Sequence, residues 1–278
     1  MSARTGEKLT RLAKVYDGEI VPAYAARFGA LLMRHVPLRA KARVVEVGCA
    51  TGHVTRELAT RLASGSHLTA LDAGEAFVNE ARLRIEAEAA AHAPVTFQVG
   101  DPAALPVDDE AADVVVSNLA VAAAPDPGGA AEELARVLVP GGTALITTPL
   151  RGSWAEFLDL FRDVLRESGR KQNLAAIDRY VAALPDGDAA IRWLEQAGLG
   201  NVALEVERWE ILFKTAREFF FSPLVELGPL SGWKRLAGTG EDMQDAFFFT
   251  KEAIDHYFKG RPFAVTVVGA VVWGQKSR

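Results

Sequence analysis

The sequence predicts an α/β fold in which a doubly wound, mostly parallel sheet is covered by helices. Between residues 43 and 148, five short apolar runs alternate with segments of helical periodicity. This alternation is typical of βαβ units, which build parallel sheets. Successive runs lead directly into Gly48, Asp72, Gly100-Asp101 and Asn118. Because functional groups collect at the carboxyl ends of parallel strands, we expect these positions to lie at one edge of the sheet.

The residues before the first strand are predicted to be helical. Apolar side chains recur at helical spacing between residues 7 and 34. Pro22 falls inside this stretch. It predicts a helix start or a break, because proline has no N–H to donate and clashes with the preceding turn.

The pattern of apolar runs then places five strands and the helices between them. Residues 43–47 form the first buried strand, and apolar residues at 54, 58 and 62 place a helix directly after it. The other strands are predicted at 68–71, 95–99, 113–117 and 143–148, with helices at 75–91 and 130–138. Pro140-Gly141-Gly142 stops the last of these helices.

The second half of the chain has a different pattern, in which helices come in succession. Two helical patterns occupy residues 153–182, and a further helix is predicted at 188–197. A long strand at 202–213 precedes an aromatic segment, 216–227, that is predicted to be helical as far as Pro223. Residues 230–240 are predicted to be a loop, 250–258 a helix and 263–273 the last strand.

Composition excludes several classes of protein. The chain has 278 residues and a formal net charge of −5, whereas a general nucleic-acid binder normally carries a basic face. Its one cysteine, Cys49, excludes an internal disulfide or a cysteine-rich metal site. No signal peptide and no apolar stretch of membrane-spanning length is visible. We therefore expect a cytoplasmic protein that has no metal and binds neither nucleic acid nor membrane.

The loop after the first strand is predicted to bind a ligand. Gly48, Ala50 and Gly52 alternate with other residues, and small residues let the backbone approach a ligand closely. A dinucleotide fingerprint would need glycine at position 53, where this chain has His53. The spacing therefore disfavours NAD and suits a ligand without a phosphate.

Polar residues at the ends of the next strands extend this site. Asp72 lies 20 residues after Gly52, where a carboxylate can accept hydrogen bonds from both ribose hydroxyls. Asp101 either accepts from an adenine amino group or caps the next helix, and the sequence leaves both open. Glu46 is either a ligand contact or a strand residue held by backbone donors, and Cys49 is interpreted only as a small residue tolerated in the loop.

Four segments together resemble the motifs of class I S-adenosylmethionine-dependent methyltransferases: VVEVGCATGHVT, LDAGEAFVNEAR, VGDPAALPVDDEAADVVVSN and LARVLVPGGTALITTP. The resemblance covers residues 40–150 and points to the subgroup that includes quinone-biosynthesis C-methyltransferases and the malonyl-carrier-protein O-methyltransferase of biotin synthesis. It implies a Rossmann-like fold with a seven-stranded sheet and a helical insertion after strand five. The second half is similar in layout to the biotin-pathway enzyme.

The resemblance also implies which residues hold S-adenosyl-L-methionine. The methionine end would be held by the loop, by a covering N-terminal helix and by the end of strand four, and Glu46 would orient the amino group through water. These residues are Tyr16, Glu46, Gly48, Cys49, Ala50, Gly52, Asn118 and Leu119. Residues along the adenosine would be Asp72 on the ribose, Asp101 on the adenine amino group, and their neighbours: Asp72, Ala73, Phe77, Gly100, Asp101, Pro102 and Ala103.

The same resemblance implies four parts of the chain. Residues 1–40 would be N-terminal helices covering the cofactor, and 41–150 the S-adenosylmethionine-binding core. Residues 151–185 would be a helical cap insertion, and 186–278 would complete the sheet and the acceptor site. After Asn118 the chain has Val121-Ala122-Ala123 where relatives often place histidine or tryptophan, and this departure concerns the acceptor more than the cofactor.

The acceptor is predicted to be an apolar small molecule, methylated on oxygen or carbon. Tyr16, His53 and His256 are candidates for a general base, and a carboxylate acceptor would need none. An acyl carrier protein is an alternative partner, which Arg151, Arg162, Arg166, Arg170 and Lys171 could attract unless they form a solvated helix face. A non-catalytic protein that binds S-adenosylmethionine or its demethylated product is a further alternative. The sequence makes no prediction of the oligomeric state.

Overall fold

The computed structural model describes residues 3–87 and 93–278. The first half contains α1 (Ala3–Val15), a π-helical segment (Tyr16–Ala25), α2 (Ala26–Met33), β1 (Arg43–Val47), α3 (His53–Arg61), β2 (His67–Asp72), α4 (Glu75–Ala87), β3 (Val95–Val99), β4 (Ala112–Asn118), α5 (Ala120–Ala123), α6 (Pro127–Val137) and β5 (Leu138–Pro149). The second half contains α7 (Ala155–Glu167), α8 (Lys171–Ala183), α9 (Gly187–Gln196), β6 (Leu199–Phe213), α10 (Ala216–Phe221), α11 (Pro223–Glu226), α12 (Leu230–Ala237), α13 (Gly240–Phe258) and β7 (Phe263–Lys276).

The sheet confirms the predicted fold class. Its seven strands follow the order β3-β2-β1-β4-β5-β7-β6, and the pairs β1–β2, β2–β3, β1–β4 and β4–β5 are parallel. The chain moves outward in one direction from β1 to β3 and then in the other from β4, which is the doubly wound arrangement. The switch between β1 and β4 puts the ends of both strands at the crevice where ligands bind in such sheets.

The central strands form because they are buried on both faces. In β1, Val44, Val45 and Val47 are each less than 5% exposed, and the Val114–Val116 run of β4 is buried as well. Continuous β-branched runs favour strands that have helices on both sides. Below β1, a core cluster joins these strands to α2 and α3 through Leu31, Leu32, Val54 and Leu58.

The N-terminal prediction is corrected at Pro22. This proline does not start a helix, and the interruption it marks is a change of register: it lies inside the π-helical segment between α1 and α2. At the end of that segment the Ala26 N–H reaches the carbonyl of Val21, five residues earlier. Such a widened register is a known way to keep a helix continuous where the ordinary i−4 ladder is interrupted.

Residues 149–186 and 207–268 form one compact unit, and the remaining residues that the structure describes form another. The core of the 149–186 and 207–268 unit is aromatic: the ring of Trp233 stacks on Phe157 at 4.0 Å, and Phe219 contacts Phe213 at 5.1 Å between ring centroids. Phe221, by contrast, is 71% exposed. The aromatic segment therefore divides between core packing and solvent.

Two predictions for this unit are wrong. Residues 230–240 are not a loop, because Leu230–Ala237 is helix α12, with Leu230, Trp233 and Ala237 buried along one face. Helix α13 begins at Gly240, ten residues before its predicted start. Glycines at 232, 238 and 240 suggested a loop, but burial of Trp233 outweighs their low helix propensity. The predicted helix end at 88–91 lies outside the described residues.

Among residues 3–87 and 93–278, no helix has both the length and the apolar character needed to cross a bilayer.

Candidate functional site

The loop between β1 and α3 has a backbone that only small residues tolerate. Gly48, Ala50 and Gly52 all have positive φ angles, of 80°, 45° and 84°. A Cβ atom added to Gly48 would lie 2.1 Å from the Cβ of Ala120. The N–H groups of Gly48 and Cys49 both donate to the carbonyl of Leu71, at 2.8 Å each, so the loop is fixed to the end of β2.

Asp72 holds the same loop through its side chain. One carboxylate oxygen accepts from the Ala50 N–H at 2.9 Å and the other from the Gly74 N–H at 2.8 Å. Burial raises the pKa of Asp72, and the two backbone donors oppose that rise. A carboxylate has about four acceptor positions, so Asp72 keeps capacity for further donors such as ribose hydroxyls.

Glu46 is a buried carboxyl group that is incompletely paired. It is 1% exposed, and among the described residues one of its oxygens, Oε2, has no hydrogen-bond partner. Burial raises its pKa to about 7, despite the opposing effect of Thr55. An unpaired buried carboxyl is costly, and it indicates a site where a ligand donor completes the pairing.

A small cavity adjoins Glu46 and the loop. It has a volume of about 20 Å³, which is about the space of one water molecule. Of the residues predicted for the site, those that line this cavity are Tyr16, Glu46, Gly48, Cys49, Ala50, His53 and Asn118. The structure thus brings together residues from the N-terminal segment, β1, the loop, α3 and β4.

Tyr16 and Phe77 pack against each other beside Asp72. Their rings meet edge to face with centroids 5.6 Å apart. Burial, and then the charge of Asp72, raise the pKa of Tyr16 to about 12. At neutral pH the Tyr16 hydroxyl therefore keeps its proton, and it is a hydrogen-bond donor rather than a base.

Asn118 connects the end of β4 to the N-terminal segment. Its Nδ2 donates to the carbonyl of Ala25 at 3.1 Å, and its Oδ1 accepts from the Thr147 hydroxyl at 2.8 Å. Leu119, next in the chain, has a positive φ of 71° and donates its N–H to Thr147. Strain of this kind at a strand end is common in functional sites. One hydrogen of the Asn118 amide remains for another acceptor.

The residues predicted to hold adenosine lie at the ends of β2 and β3. Asp72 pairs in register with Val99, and the Gly100 N–H donates to the carbonyl of Asp72 at 3.0 Å. Asp101 is exposed, and it accepts from the N–H of Ala103 at 2.9 Å. This bond closes a local turn and caps no helix, because the next element in the chain is β4, so the helix-cap interpretation of Asp101 is wrong. Ala73 and Ala103 are exposed and Pro102 is half-buried.

The histidines differ in surroundings. Burial lowers the pKa of His53, which is about half-buried, so its imidazole is neutral at pH 7. His256 is exposed on α13, with its ring 5.8 Å from that of Tyr257. His92 lies outside the described residues.

Sequence reasoning missed an ionic contact next to the loop. The carboxylate of Asp17 accepts from the hydroxyl of Thr51 at 2.9 Å and forms an ion pair with Arg84 of α4. These residues are separated by 34 and 67 positions, so no local pattern links them. The only feature of the sequence that could have drawn attention to Asp17 is its position directly after Tyr16.

Comparisons with known proteins agree with this geometry. A family model described as a methyltransferase domain matches residues 45–146. A malonyl-[acyl-carrier protein] O-methyltransferase of Pseudescherichia vulneris is 30% identical over 195 residues, which are 70% of this chain and 70% of that protein. A demethylmenaquinone methyltransferase of Clavibacter sepedonicus is 30% identical over 169 residues, 58% of this chain and 66% of that protein.

The fold also has solved counterparts. A protein of Bacillus halodurans C-125 assigned as a methyltransferase superposes with a TM-score of 0.57 at 22% identity, over 90% of this chain and 99% of its own. Other curated relatives are matched over a smaller part of their length, 39% and 44% for two of them.

Gly48→Ala should destabilise the protein by more than the cost of placing an alanine at a positive φ angle. Gly198 is a matched control, because its φ is 83° and nothing lies within 4 Å of an added Cβ. Gly198→Ala should cost about 1–2 kcal/mol for the positive φ alone. Gly48→Ala should cost about 2 kcal/mol more, because its Cβ overlaps Ala120. Urea unfolding measures both, and equal losses would contradict the close approach.

Proposed function

We propose that this chain, which belongs to the class I S-adenosylmethionine-dependent methyltransferase family, transfers a methyl group to oxygen or carbon of a small-molecule acceptor. The observation that carries the proposal is the convergence of the glycine loop, Glu46 and Asp72 at the carboxyl ends of β1 and β2. Family membership makes S-adenosyl-L-methionine the cofactor.

The site residues fit this cofactor. Oε2 of Glu46 lacks a donor among the residues that the structure describes, and the cofactor's amino group supplies one directly or through water. Asp72 has acceptor capacity for the ribose hydroxyls. The loop offers close backbone approach because Gly48 has no Cβ. We assign the remaining contacts to Tyr16, Cys49, Ala50, Gly52, Ala73, Phe77, Gly100, Asp101, Pro102, Ala103, Asn118 and Leu119.

The chain's own contribution to catalysis is positioning and exclusion of water. When bound, S-adenosyl-L-methionine supplies a methyl group already activated by a sulfonium. The Asp72–Ala50 bond fixes the loop. A fixed loop would hold the bound cofactor in one orientation, which removes part of the entropic barrier. Of the two base candidates that line the cavity, Tyr16 keeps its proton, so neutral His53 is the one that serves an acceptor that must lose a proton.

The relatives do not fix the acceptor. One is named for a malonyl group on a carrier protein and the other for demethylmenaquinone, so similar chains serve a carboxylate and a quinone. The second relative favours an apolar small-molecule acceptor such as a quinone.

Carboxyl methylation on an acyl carrier protein is the alternative that the first of these relatives favours. The arginines expected to attract an acidic carrier are engaged, however. Each pairs with at least one carboxylate: Arg151 with Asp186, Arg162 with Asp159 and Asp178, Arg166 with Asp163, and Arg170 with Asp242 and Asp245. The side chain of Lys171 lies outside the described part. These pairs argue against a strongly basic docking patch built from this set.

Titration and turnover together test the proposal. Isothermal calorimetry with S-adenosylmethionine, S-adenosylhomocysteine and NAD should show binding of the two sulfur ligands and none of NAD. Acceptor screening with a labelled methyl donor then distinguishes an enzyme from a protein that only binds the cofactor. Comparing methylation of free acids with methylation of carrier-bound acids distinguishes the two acceptor classes. Binding of NAD, or no binding of either sulfur ligand, would overturn the proposal. Binding without any turnover would favour the non-catalytic alternative.

Replacing Asp72 should weaken S-adenosylhomocysteine binding. Asp72→Ala should raise the Kd at least about tenfold, because a charge-assisted hydrogen bond contributes about 1.5–3 kcal/mol. Asp72→Asn keeps one acceptor oxygen and should have a smaller effect. Asp113→Ala is the matched control, since this carboxylate pairs with Arg43 at the starts of β4 and β1, the strand ends opposite to the glycine loop. Wild-type affinity in a folded Asp72→Ala variant would show that Asp72 does not bind the ribose hydroxyls.

Binding should depend on pH through Glu46. Because its pKa in the free protein is about 7, Glu46 is protonated below that pH and must lose the proton to pair with an ammonium group. Affinity for S-adenosylhomocysteine should therefore rise about tenfold per pH unit up to pH 7 and then level off. Glu46→Gln should remove this dependence, and an unchanged pH profile in that variant would refute the role.

The same carboxyl predicts the sign of a stability effect in the free protein. Because its pKa is higher in the folded than in the unfolded state, Glu46 contributes stability at pH values below its unfolded-state pKa. That contribution is lost as the pH rises through about 7. Urea unfolding at pH 5 and pH 8 should therefore show a smaller pH-dependent loss for Glu46→Gln than for wild type.

A further inference from the structure

The N-terminal segment is anchored at both ends beside the cavity. At its start, Tyr16 packs on Phe77 and Asp17 contacts Thr51 and Arg84. At its end, the carbonyl of Ala25 accepts from Asn118. Between these points Val21 and Ala25 form part of the cavity wall. The segment Tyr16–Ala25 therefore closes one side of the site.

The anchored segment leaves little enclosed space beside the loop. The cavity of about 20 Å³ accommodates about one water, whereas the methionine end of the cofactor is several times larger. Binding and release at this place therefore require the segment to move away from the loop. Such a movement breaks the Asp17 contacts, because Thr51 belongs to the loop and Arg84 to α4.

We propose that Asp17 is a latch, a positioning residue that ties the segment Tyr16–Ala25 to Thr51 and Arg84 and thereby sets the rate of cofactor exchange. The inference rests on the proposed function for the identity of the ligand. Thr51 is a fixed attachment point, because it is 1% exposed within the loop. The side chains of Arg84 and Asp17 are 27% and 26% exposed. Partial burial makes this pair less screened than a surface ion pair.

The π-helical geometry supports movement of this segment. Interruptions of the ordinary helical register often mark hinges or functional sites. Here the interruption spans Tyr16–Ala25 and includes Pro22, while α1 and α2 on either side are regular helices. The Asp17 contacts therefore restrain, from outside, a segment in which the ordinary register is interrupted and Pro22 has no N–H to donate.

The test measures S-adenosylhomocysteine binding kinetics by surface plasmon resonance. Asp17→Ala and Arg84→Gln should raise both the association and the dissociation rate about fivefold or more, because both steps pass through the open segment. The double variant should add little to either single change, since both break one pair. Thr51→Val should act in the same direction, and Thr51→Ser, which keeps the hydroxyl, should restore wild-type rates.

Matched controls come from the same elements. Glu19→Gln removes an exposed charge from the segment itself. Arg82→Gln removes a cation two residues before Arg84 on α4, where Arg82 contacts Asn79 and the ring of Phe97. Both controls should stay within about twofold of wild type, as is usual for surface charges.

Other outcomes overturn the latch. A faster dissociation with an unchanged association rate means that Asp17 contacts the ligand and gates nothing. Unchanged rates in Asp17→Ala and Arg84→Gln mean that the segment opens without regard to these contacts.

A second measurement keeps the latch testable apart from the proposed function. Hydrogen–deuterium exchange of the free protein should speed up at residues 18–25 in Asp17→Ala and not in Glu19→Gln. Unchanged exchange would overturn the latch without any ligand. If wild-type protein failed to bind S-adenosylhomocysteine, the proposed function would fall and the exchange result would still decide whether Asp17 restrains the segment.

Discussion

The site depends on the attachment of the β1–α3 loop to the end of β2. Two loop N–H groups donate to the carbonyl of Leu71, and the Ala50 N–H donates to the carboxylate of Asp72. These bonds form because the parallel register of β1 and β2 places Val47, the last residue before the loop, opposite Leu71. Strand pairing thereby fixes the distance between the glycine loop and Asp72, which are the two parts expected to hold opposite ends of one ligand. The residues of the site owe their relative positions to the sheet, and within the loop the Gly52 N–H closes the turn by donating to the carbonyl of Cys49 at 2.8 Å.

Sequence reasoning predicted what depends on local patterns. The strands β1 to β5 and the loop were found because buried parallel strands are short apolar runs and because small residues at positive φ have few substitutes. Helix α12 was missed, since its glycines argue for a loop and only the packing of Trp233 makes a helix favourable. Asp17 was missed for a different reason. Its partners, Thr51 and Arg84, are distant in the chain, and a carboxylate near an N-terminus has no signature that distinguishes an anchored side chain from a solvated one.

The cofactor and the acceptor differ in how far the fold determines them. The cofactor site is built from strand ends and one loop, which the fold family holds in common, so its residues could be placed from motifs. An acceptor site is formed by elements that vary between members of a fold, and the same architecture serves many reactions. The arginines of the 151–185 region show the difficulty. In sequence they form a basic run, but in the structure each of the four described has an acidic partner that the run alone does not reveal.

Glu46 shows how the free protein tolerates a group that is useful only with its ligand. A charged carboxylate without a full set of partners would destabilise the centre of the sheet, next to Cys49 and the core of β1. The raised pKa means that Glu46 is protonated, and therefore uncharged, at mildly acidic pH and loses the proton as the pH rises through about 7. A cationic group entering the site replaces that proton, so part of the cost of burial is recovered as binding free energy. The buried carboxyl and the latched segment act on the same step: one favours a positively charged ligand at equilibrium, and the other governs how quickly that ligand enters and leaves.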